Sequence, residues 1–146
     1  KELDADLAGE MSGHIFFKHR YWGFDDALHA SARLVEIVSN QTLPVSQLLA
    51  DLPPVINTPE IRLDCPESIK FEVAKQAQAA FPEYETLTID GVRVKFSNGW
   101  GLVRASNTQP VLVMRFEATS QKELEEYEML VRTRIGSIIQ ELQAKN

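Results

Sequence analysis

A chain of 146 residues is the size of one ordinary domain. With 44% apolar and 25% charged residues, seven Gly and seven Pro, its composition is globular and excludes disorder, collagen-like repeats and a disulfide-stapled miniprotein. Fifteen Lys and Arg against 21 Asp and Glu leave a formal net charge of −6. Such a chain lacks the basic stripe of a nucleic-acid binder, so nucleic acid is not expected as a partner and any anionic ligand has to be held by local chemistry.

The single cysteine, Cys65, cannot close an intrachain disulfide and has no second thiol nearby for a metal site, which favours a reducing compartment, the cytoplasm by default. No run approaches the ~18 apolar residues of a membrane span. The start, Lys-Glu-Leu-Asp-Ala-Asp, has neither the basic opening nor the apolar core of a signal peptide. It also lacks an initiator Met, and the chain is expected to be a piece of something longer.

In chain order, a short extended stretch at Leu7 to Ala8 leads into a tight polar turn, Gly9-Glu10-Met11-Ser12-Gly13-His14, and an apolar run, Ile15-Phe16-Phe17. A helix follows: Asp25 and Asp26 can cap it, and Leu28, Ala32, Val35 and Val38 recur at helical spacing up to Asn40. A strand, a turn and one helix do not make a core, so residues 1–40 read as a strand-helix remnant of an α/β domain. From residue 41 to 58 the periodicity weakens and prolines gather (Pro44, Pro53, Pro54, with Pro59 just beyond), marking a linker or hinge. A short helical turn fits Val45 to Leu49.

Residues 59–146 then alternate cleanly. A strand from Glu60 to Leu63 precedes a helix from Pro66 to Ala80 that presents Ile69, Val73 and Ala77 on one face, and Pro82 stops it. Leu87 and Ile89, then Val92, Val94 and Phe96, alternate across Asp90-Gly91, which predicts a two-residue hairpin turn with both apolar sets on one face. Strands from Trp100 to Arg104 and from Val111 to Phe116 follow. A last helix opens on the capping box Ser120-x-x-Glu123 and carries Leu124, Tyr127, Val131, Ile135, Ile138 and Leu142 as its buried stripe. The order β-α-β-β-β-β-α predicts an α+β fold: a TBP-like antiparallel sheet of four to five strands with two helices on one face.

Three stretches carry groups suited to chemistry. Arg104-Ala-Ser-Asn-Thr-Gln-Pro110 gathers a guanidinium, two hydroxyls and two amides between strands. Arg104 can grip phosphate bidentately, Ser106 and Thr108 can donate, and successive backbone N–H groups beside Asn107 can form an anion-binding concavity. The same composition also suits a plain hairpin loop with local Ser and Asn turns. Arg115, in the apolar strand Val-Leu-Val-Met-Arg-Phe, either backs this loop or pairs with Glu117, or else faces solvent from a half-buried strand. Gly9 to His14 places Glu10, Ser12 and His14 together if the stretch is extended, an arrangement suited to sugar hydroxyls, or else forms a glycine-rich turn with a satisfied histidine.

The remaining candidates point to less. The spacings of His14, His19 and His29 match no metal-ligand pair. Lys18-His19-Arg20-Tyr21-Trp22 reads as a solvated basic and aromatic face, and Cys65 as a small packing residue.

Taken together, Gly-Glu-Met-Ser-Gly-His and Arg-Ala-Ser-Asn-Thr-Gln-Pro, with Phe-Phe-Lys-His-Arg-Tyr-Trp-Gly-Phe-Asp-Asp, Asp90-Gly-Val-Arg-Val and Gly99-Trp-Gly-Leu-Val-Arg between them, resemble the bacterial phosphomannomutase/phosphoglucomutase family of the α-D-phosphohexomutase superfamily. The resemblance covers essentially the whole chain. It implies the end of the third, sugar-reading domain (1–40) and all of the fourth, phosphate-binding domain (59–146), swinging as a lid on the linker.

Glu10, Ser12 and His14 would read sugar hydroxyls, while Arg104, Ser106, Asn107, Thr108 and Arg115 would hold the phosphate that is not being transferred. Gln109 is given no role. The family implies a phosphosugar substrate, a bisphosphorylated sugar intermediate, a glucose 1,6-bisphosphate-type activator, and Mg²⁺ bound in the full-length enzyme by domains N-terminal to these. Neither a Thr/Ser-x-Ser-His-Asn phosphoserine motif nor an Asp-Gly-Asp-x-Asp metal loop occurs in these residues, so this portion alone is expected to be inactive. The competing reading is a non-catalytic α+β ligand-binding or interaction module.

Overall fold

The computed structural model of the chain describes residues 4–10 and 13–145. They form two compact units, Lys1–Pro53 and Pro54–Asn146. The division falls between two adjacent prolines inside the stretch that reads as a linker.

In the first unit, β1 (Leu7–Gly9) and β2 (Ile15–Phe17) pair antiparallel, with Leu7 opposite Phe17 and Gly9 opposite Ile15. Helix α1 (Ala27–Ser39) starts at Asp26, whose carboxylate accepts the His29 N–H at 3.0 Å. The Tyr21 hydroxyl also donates to Asp26; that bond, seconded by the His29 N–H, holds the Asp26 carboxyl below its usual range and raises the Tyr21 phenol. Asp25 is therefore not the cap.

The predicted stripe of α1 is not its packed side. Leu28 is 85% and Val35 67% exposed, whereas His29 stacks on Tyr21 with ring centroids 3.8 Å apart and meets the Phe17 edge. One residue along a helix is a turn of about 100°, so a polar-looking face, His29 and Arg33, lies against β2. A single 3₁₀ turn over Val45–Gln47 follows, shorter than the helical turn expected to Leu49.

The second unit is the predicted α+β layer. Strands β5 (Glu85–Leu87), β6 (Val92–Phe96), β7 (Gly99–Ala105) and β8 (Val111–Ala118) run as an antiparallel meander. Along the free side of β8 lie two short segments in succession, β3 (Ile56–Asn57) and β4 (Ile61–Asp64). The sheet thus has six strands in five lanes, one segment more than expected, because residues assigned to the linker pair with Ala118 and Glu117. Between β3 and β4 the Thr58 N–H donates to the Phe116 carbonyl and the Thr58 hydroxyl accepts the Phe116 N–H, before Pro59 breaks the ladder.

Helices α2 (Lys70–Ala77) and α3 (Gln121–Ala144) pack on one face of this sheet and on each other. Val92, Val94 and Phe96 of β6, Val103 of β7, and Leu112, Met114 and Phe116 of β8 meet Ile69, Val73, Ala77, Leu124, Val131 and Ile135 in one core. Phe96 stacks on Tyr127 with centroids 4.1 Å apart. Cys65 is buried there, and that burial pushes its thiol up, only partly offset by the Lys70 ammonium.

Two expectations need correction. The regular part of α2 is shorter than the expected run from about Pro66 to Ala80: the Pro66 carbonyl accepts both the Ile69 and Lys70 N–H groups in an irregular first turn, and regular helix spans Lys70–Ala77. The β5–β6 hairpin pairs Leu87 with Arg93 and Thr86 with Val94. That register is one residue away from the predicted two-residue turn, so Leu87 and Ile89, 54% and 93% exposed, fall on the side opposite Val92 and Val94. The turn is three residues, Ile89-Asp90-Gly91, closed by Gly91 at φ +76°.

Candidate functional site

The uncovered face of the second unit is built from the alternate residues of the strands whose neighbours fill the core. Arg62 of β4 and Arg104 of β7 both lie opposite Val113 of β8, so the two arginines flank one valine across three lanes, with backbones roughly 9.5 Å apart. Arg115 sits two residues further along β8, opposite Leu102, which makes it the diagonal neighbour of Arg104. Arg115 donates to the Asn57 carboxamide oxygen at 3.5 Å. The expected Arg115–Glu117 pair does not form: Glu117 accepts the Trp100 indole N–H at 3.1 Å instead.

Beyond Arg104 the chain turns through Ser106–Pro110 into β8. Ser106 is buried, and its N–H donates to the Val111 carbonyl at 3.0 Å. Its hydroxyl oxygen accepts two successive backbone N–H groups, Thr108 at 3.4 Å and Gln109 at 3.2 Å. Two amides converging on one oxygen have the geometry of an anion nest, here filled by the loop's own hydroxyl. Ser106 therefore shapes the loop and keeps its proton to donate, while Asn107 and Thr108 are exposed. Arg104 precedes the loop by two residues, and its guanidinium lies 3.7 Å from the Asp90 carboxylate at the tip of the β5–β6 hairpin.

In the first unit, the Glu10 N–H donates to the His14 carbonyl at 2.9 Å and the Gly13 N–H to the Glu10 carbonyl at 3.0 Å. These bonds join the described residues on either side of Met11 and Ser12 at the closing end of the β1–β2 hairpin. Glu10 and His14 are brought opposite each other by the hairpin. Ser12 lies outside the described residues. His14 Nδ1 is 2.6 Å from an Asp25 carboxylate oxygen, a contact that fixes the ring and leaves Nε2 for another partner.

Among the described residues no three His, Cys, Asp or Glu side chains come together as metal ligands. No helix among them is long and apolar enough to cross a membrane. A hollow of about 430 Å³ beside Arg93, Lys95 and Trp100 lies at the far end of β7 from the Ser106 loop, roughly 20 Å away along the strand.

Two family models match the chain: the phosphoglucomutase/phosphomannomutase C-terminal domain over residues 60–134, and the alpha/beta/alpha domain III of the same family over residues 1–56. The chain belongs to the phosphoglucomutase/phosphomannomutase family. It is 50% identical over 145 residues to a phosphomannomutase/phosphoglucomutase of Pseudomonas putida, an alignment covering 98% of this chain and 31% of that protein. It is also 50% identical over 129 residues to a phosphoglucomutase of Neisseria gonorrhoeae, covering 86% and 28%. A solved phosphoglucomutase/phosphomannomutase family protein of Burkholderia thailandensis superposes with TM-score 0.79 at 43% identity, over 94% of this chain and 29% of that one. The chain thus spans about a third of the length of the relatives it matches.

The structure adds residues that the sequence reading missed. Asp25 reads as a helix cap and is engaged by His14. Gln109, given no role, makes bonds through its N–H, its carbonyl and its side chain. Lys70 was readable: with Val73, Ala74 and Ala77 it falls on the buried stripe of α2, where a lysine needs a partner.

Proposed function

We propose that this chain is the substrate-recognition and phosphate-binding portion of a phosphohexomutase that interconverts hexose 6-phosphate and hexose 1-phosphate, mannose or glucose, through a bisphosphorylated sugar. The observation that supports the reading is a loop, starting two residues after Arg104, whose consecutive amides converge on the Ser106 hydroxyl oxygen, with Arg104 and Arg115 diagonal neighbours on the strands that flank it. Arg104, Ser106, Asn107, Thr108 and Arg115 hold the phosphate that is not being transferred, and Glu10, Ser12 and His14 read the sugar hydroxyls.

Phosphoryl transfer depends on position and charge stabilisation, so binding energy from the remote phosphate holds the reacting end in line. A site that grips one phosphate without engaging the other accepts the bisphosphate in either orientation, as the exchange of positions 1 and 6 requires. As the family resemblance implies, other parts of the full-length polypeptide would supply the phosphoserine and hold a Mg²⁺ ion whose charge would neutralise the transferring group. The setting is the cytoplasm, in keeping with a single buried thiol.

The test is turnover. The full-length polypeptide containing this chain is assayed with mannose 1-phosphate and glucose 1-phosphate, and the 146-residue chain is assayed alongside. Conversion of at least one ester by the former and neither by the latter is expected; a full-length protein inert toward both would sink the proposal.

A further inference from the structure

We propose that Lys70 is a positioning residue of the phosphate loop, clamping Ser106–Pro110 from inside the protein through the Gln109 carbonyl. This rests on the reading of the loop as a phosphate site. Lys70 is 1% exposed and is the largest of the fully buried side chains. It is also the first residue of α2, where the helix presents its positive end. A buried ammonium at that position is unfavourable twice over, and an apolar side chain would join Val73, Ala74 and Ala77 without either penalty.

Three contacts offset the burial. The ammonium donates to the Gln109 carbonyl at 2.9 Å, pairs with a Glu67 carboxylate oxygen at 2.8 Å, and lies 4.9 Å from the Phe71 ring centroid. The first of these reaches across 39 positions of sequence and lands in the loop.

Gln109 is where the clamp takes hold. Its carbonyl accepts Lys70 Nζ and, at 2.8 Å, the Val111 N–H. Its own N–H donates to the Ser106 hydroxyl oxygen, and its side-chain oxygen accepts Arg62 Nη1 at 2.6 Å. The carbonyl that Lys70 holds belongs to the 109–110 peptide and the Gln109 N–H to the 108–109 peptide, so the clamp acts through the Gln109 backbone torsions: pinning one side of Gln109 restrains the N–H that meets the Ser106 hydroxyl oxygen, and with it the Thr108 amide that shares that oxygen. Lys70 is separate from Arg104 and Arg115, which act from the open face.

The experiment uses the 146-residue chain, with inorganic phosphate and glucose 1-phosphate as probes. Lys70→Met keeps the length and removes the charge. Amide hydrogen exchange without ligand reads the clamp alone: exchange at Thr108 and Gln109 is expected to accelerate at least tenfold, roughly the loss of one charged hydrogen bond, while core amides such as Val94 and Val103 stay protected. Titration reads the consequence, with both probes expected to bind about tenfold more weakly.

A purely structural lysine would lower protection throughout, or nowhere. Wild-type loop exchange and wild-type affinity in Lys70→Met overturn the clamp and leave the phosphate reading intact. Absence of any ligand shift in the wild-type chain removes the phosphate reading, while the exchange data still decide the clamp. Should Lys70→Met not fold, the wild-type ammonium carries the test: a slowly exchanging Nζ signal that moves on ligand addition supports the proposal, and one averaged with water overturns it.

Discussion

Gly91 and Val103 approach so closely that a Cβ built on Gly91 would stand 2.1 Å from the Val103 carbonyl oxygen, and 2.9 Å from the Arg104 Cβ. The tip of the β5–β6 hairpin therefore packs against β7 at Val103 and Arg104, just before the Ser106–Pro110 loop. Gly91 also holds φ +76°, so both space and backbone geometry ask for glycine. Gly91→Ala is expected to destabilise the protein by more than ~1 kcal/mol, a fall in melting temperature of at least roughly 4 °C for a domain of this size. A melting curve superimposable on wild type would contradict the close approach.

That contact also explains which parts of the fold were legible in the sequence. The alternation in Val92, Val94 and Phe96 is strong because one face of β6 is core and the other open, and the capping residues Asp26 and Ser120 stand where the helices begin. The register of the hairpin was not legible, since Leu87 and Ile89 alternate in either register, and the close approach of Gly91 to β7 leaves no local pattern. The loop motif announced hydroxyls, amides and Arg104, but not that Ser106 would turn its oxygen inward. Long-range partners such as Lys70 to Gln109 and Arg62 to Gln109 leave no local pattern. In the first unit the helix stripe was visible, whereas the contacts of His29 with Tyr21 and Phe17 leave no trace in aliphatic spacing.

Arg104→Ala tests the phosphate-binding role proposed for this residue in the full-length polypeptide. A charge-assisted hydrogen bond contributes about 1.5–3 kcal/mol, so KM for either hexose phosphate is expected to rise roughly tenfold to a hundredfold. Arg104→Lys should recover only part of this, because an ammonium cannot make the paired bonds of a guanidinium. Arg115→Ala, one diagonal step away, is expected to have a smaller effect in the same direction. Steady-state kinetics on the three variants provide the check, and an Arg104→Ala enzyme with wild-type KM and kcat would remove Arg104 from the site.

His14 owes its orientation to Asp25, and the pair can be separated from the cap that Asp26 makes. Asp25→Asn keeps an acceptor for the imidazole Nδ1–H but not the charge, whereas Asp25→Ala leaves the ring unanchored. The expected order of kcat/KM is wild type, then Asp25→Asn, then Asp25→Ala, with the last near His14→Ala and the double variant no worse than His14→Ala alone. Fully additive losses in that double-mutant cycle would show that Asp25 acts otherwise than through His14.

Acid should loosen the start of α3 through one carboxylate. Glu123 accepts the Ser120 hydroxyl at 2.7 Å, the Asn98 amide and the Thr119 hydroxyl at 2.9 Å. These bonds, that from Ser120 foremost, hold its carboxyl below the usual value of 4.5. A depressed folded-state pKa means that the unfolded chain takes up the proton first. The stabilisation is therefore complete above 4.5, and is lost as the pH falls through the lower folded value. Glu123→Gln is expected to be less stable than wild type at neutral pH, with the difference shrinking on acidification and gone below the folded pKa. Urea unfolding of both proteins at neutral pH and at about pH 3 measures it; a difference that stays constant between the two would mean the charge on Glu123 contributes nothing to the cap.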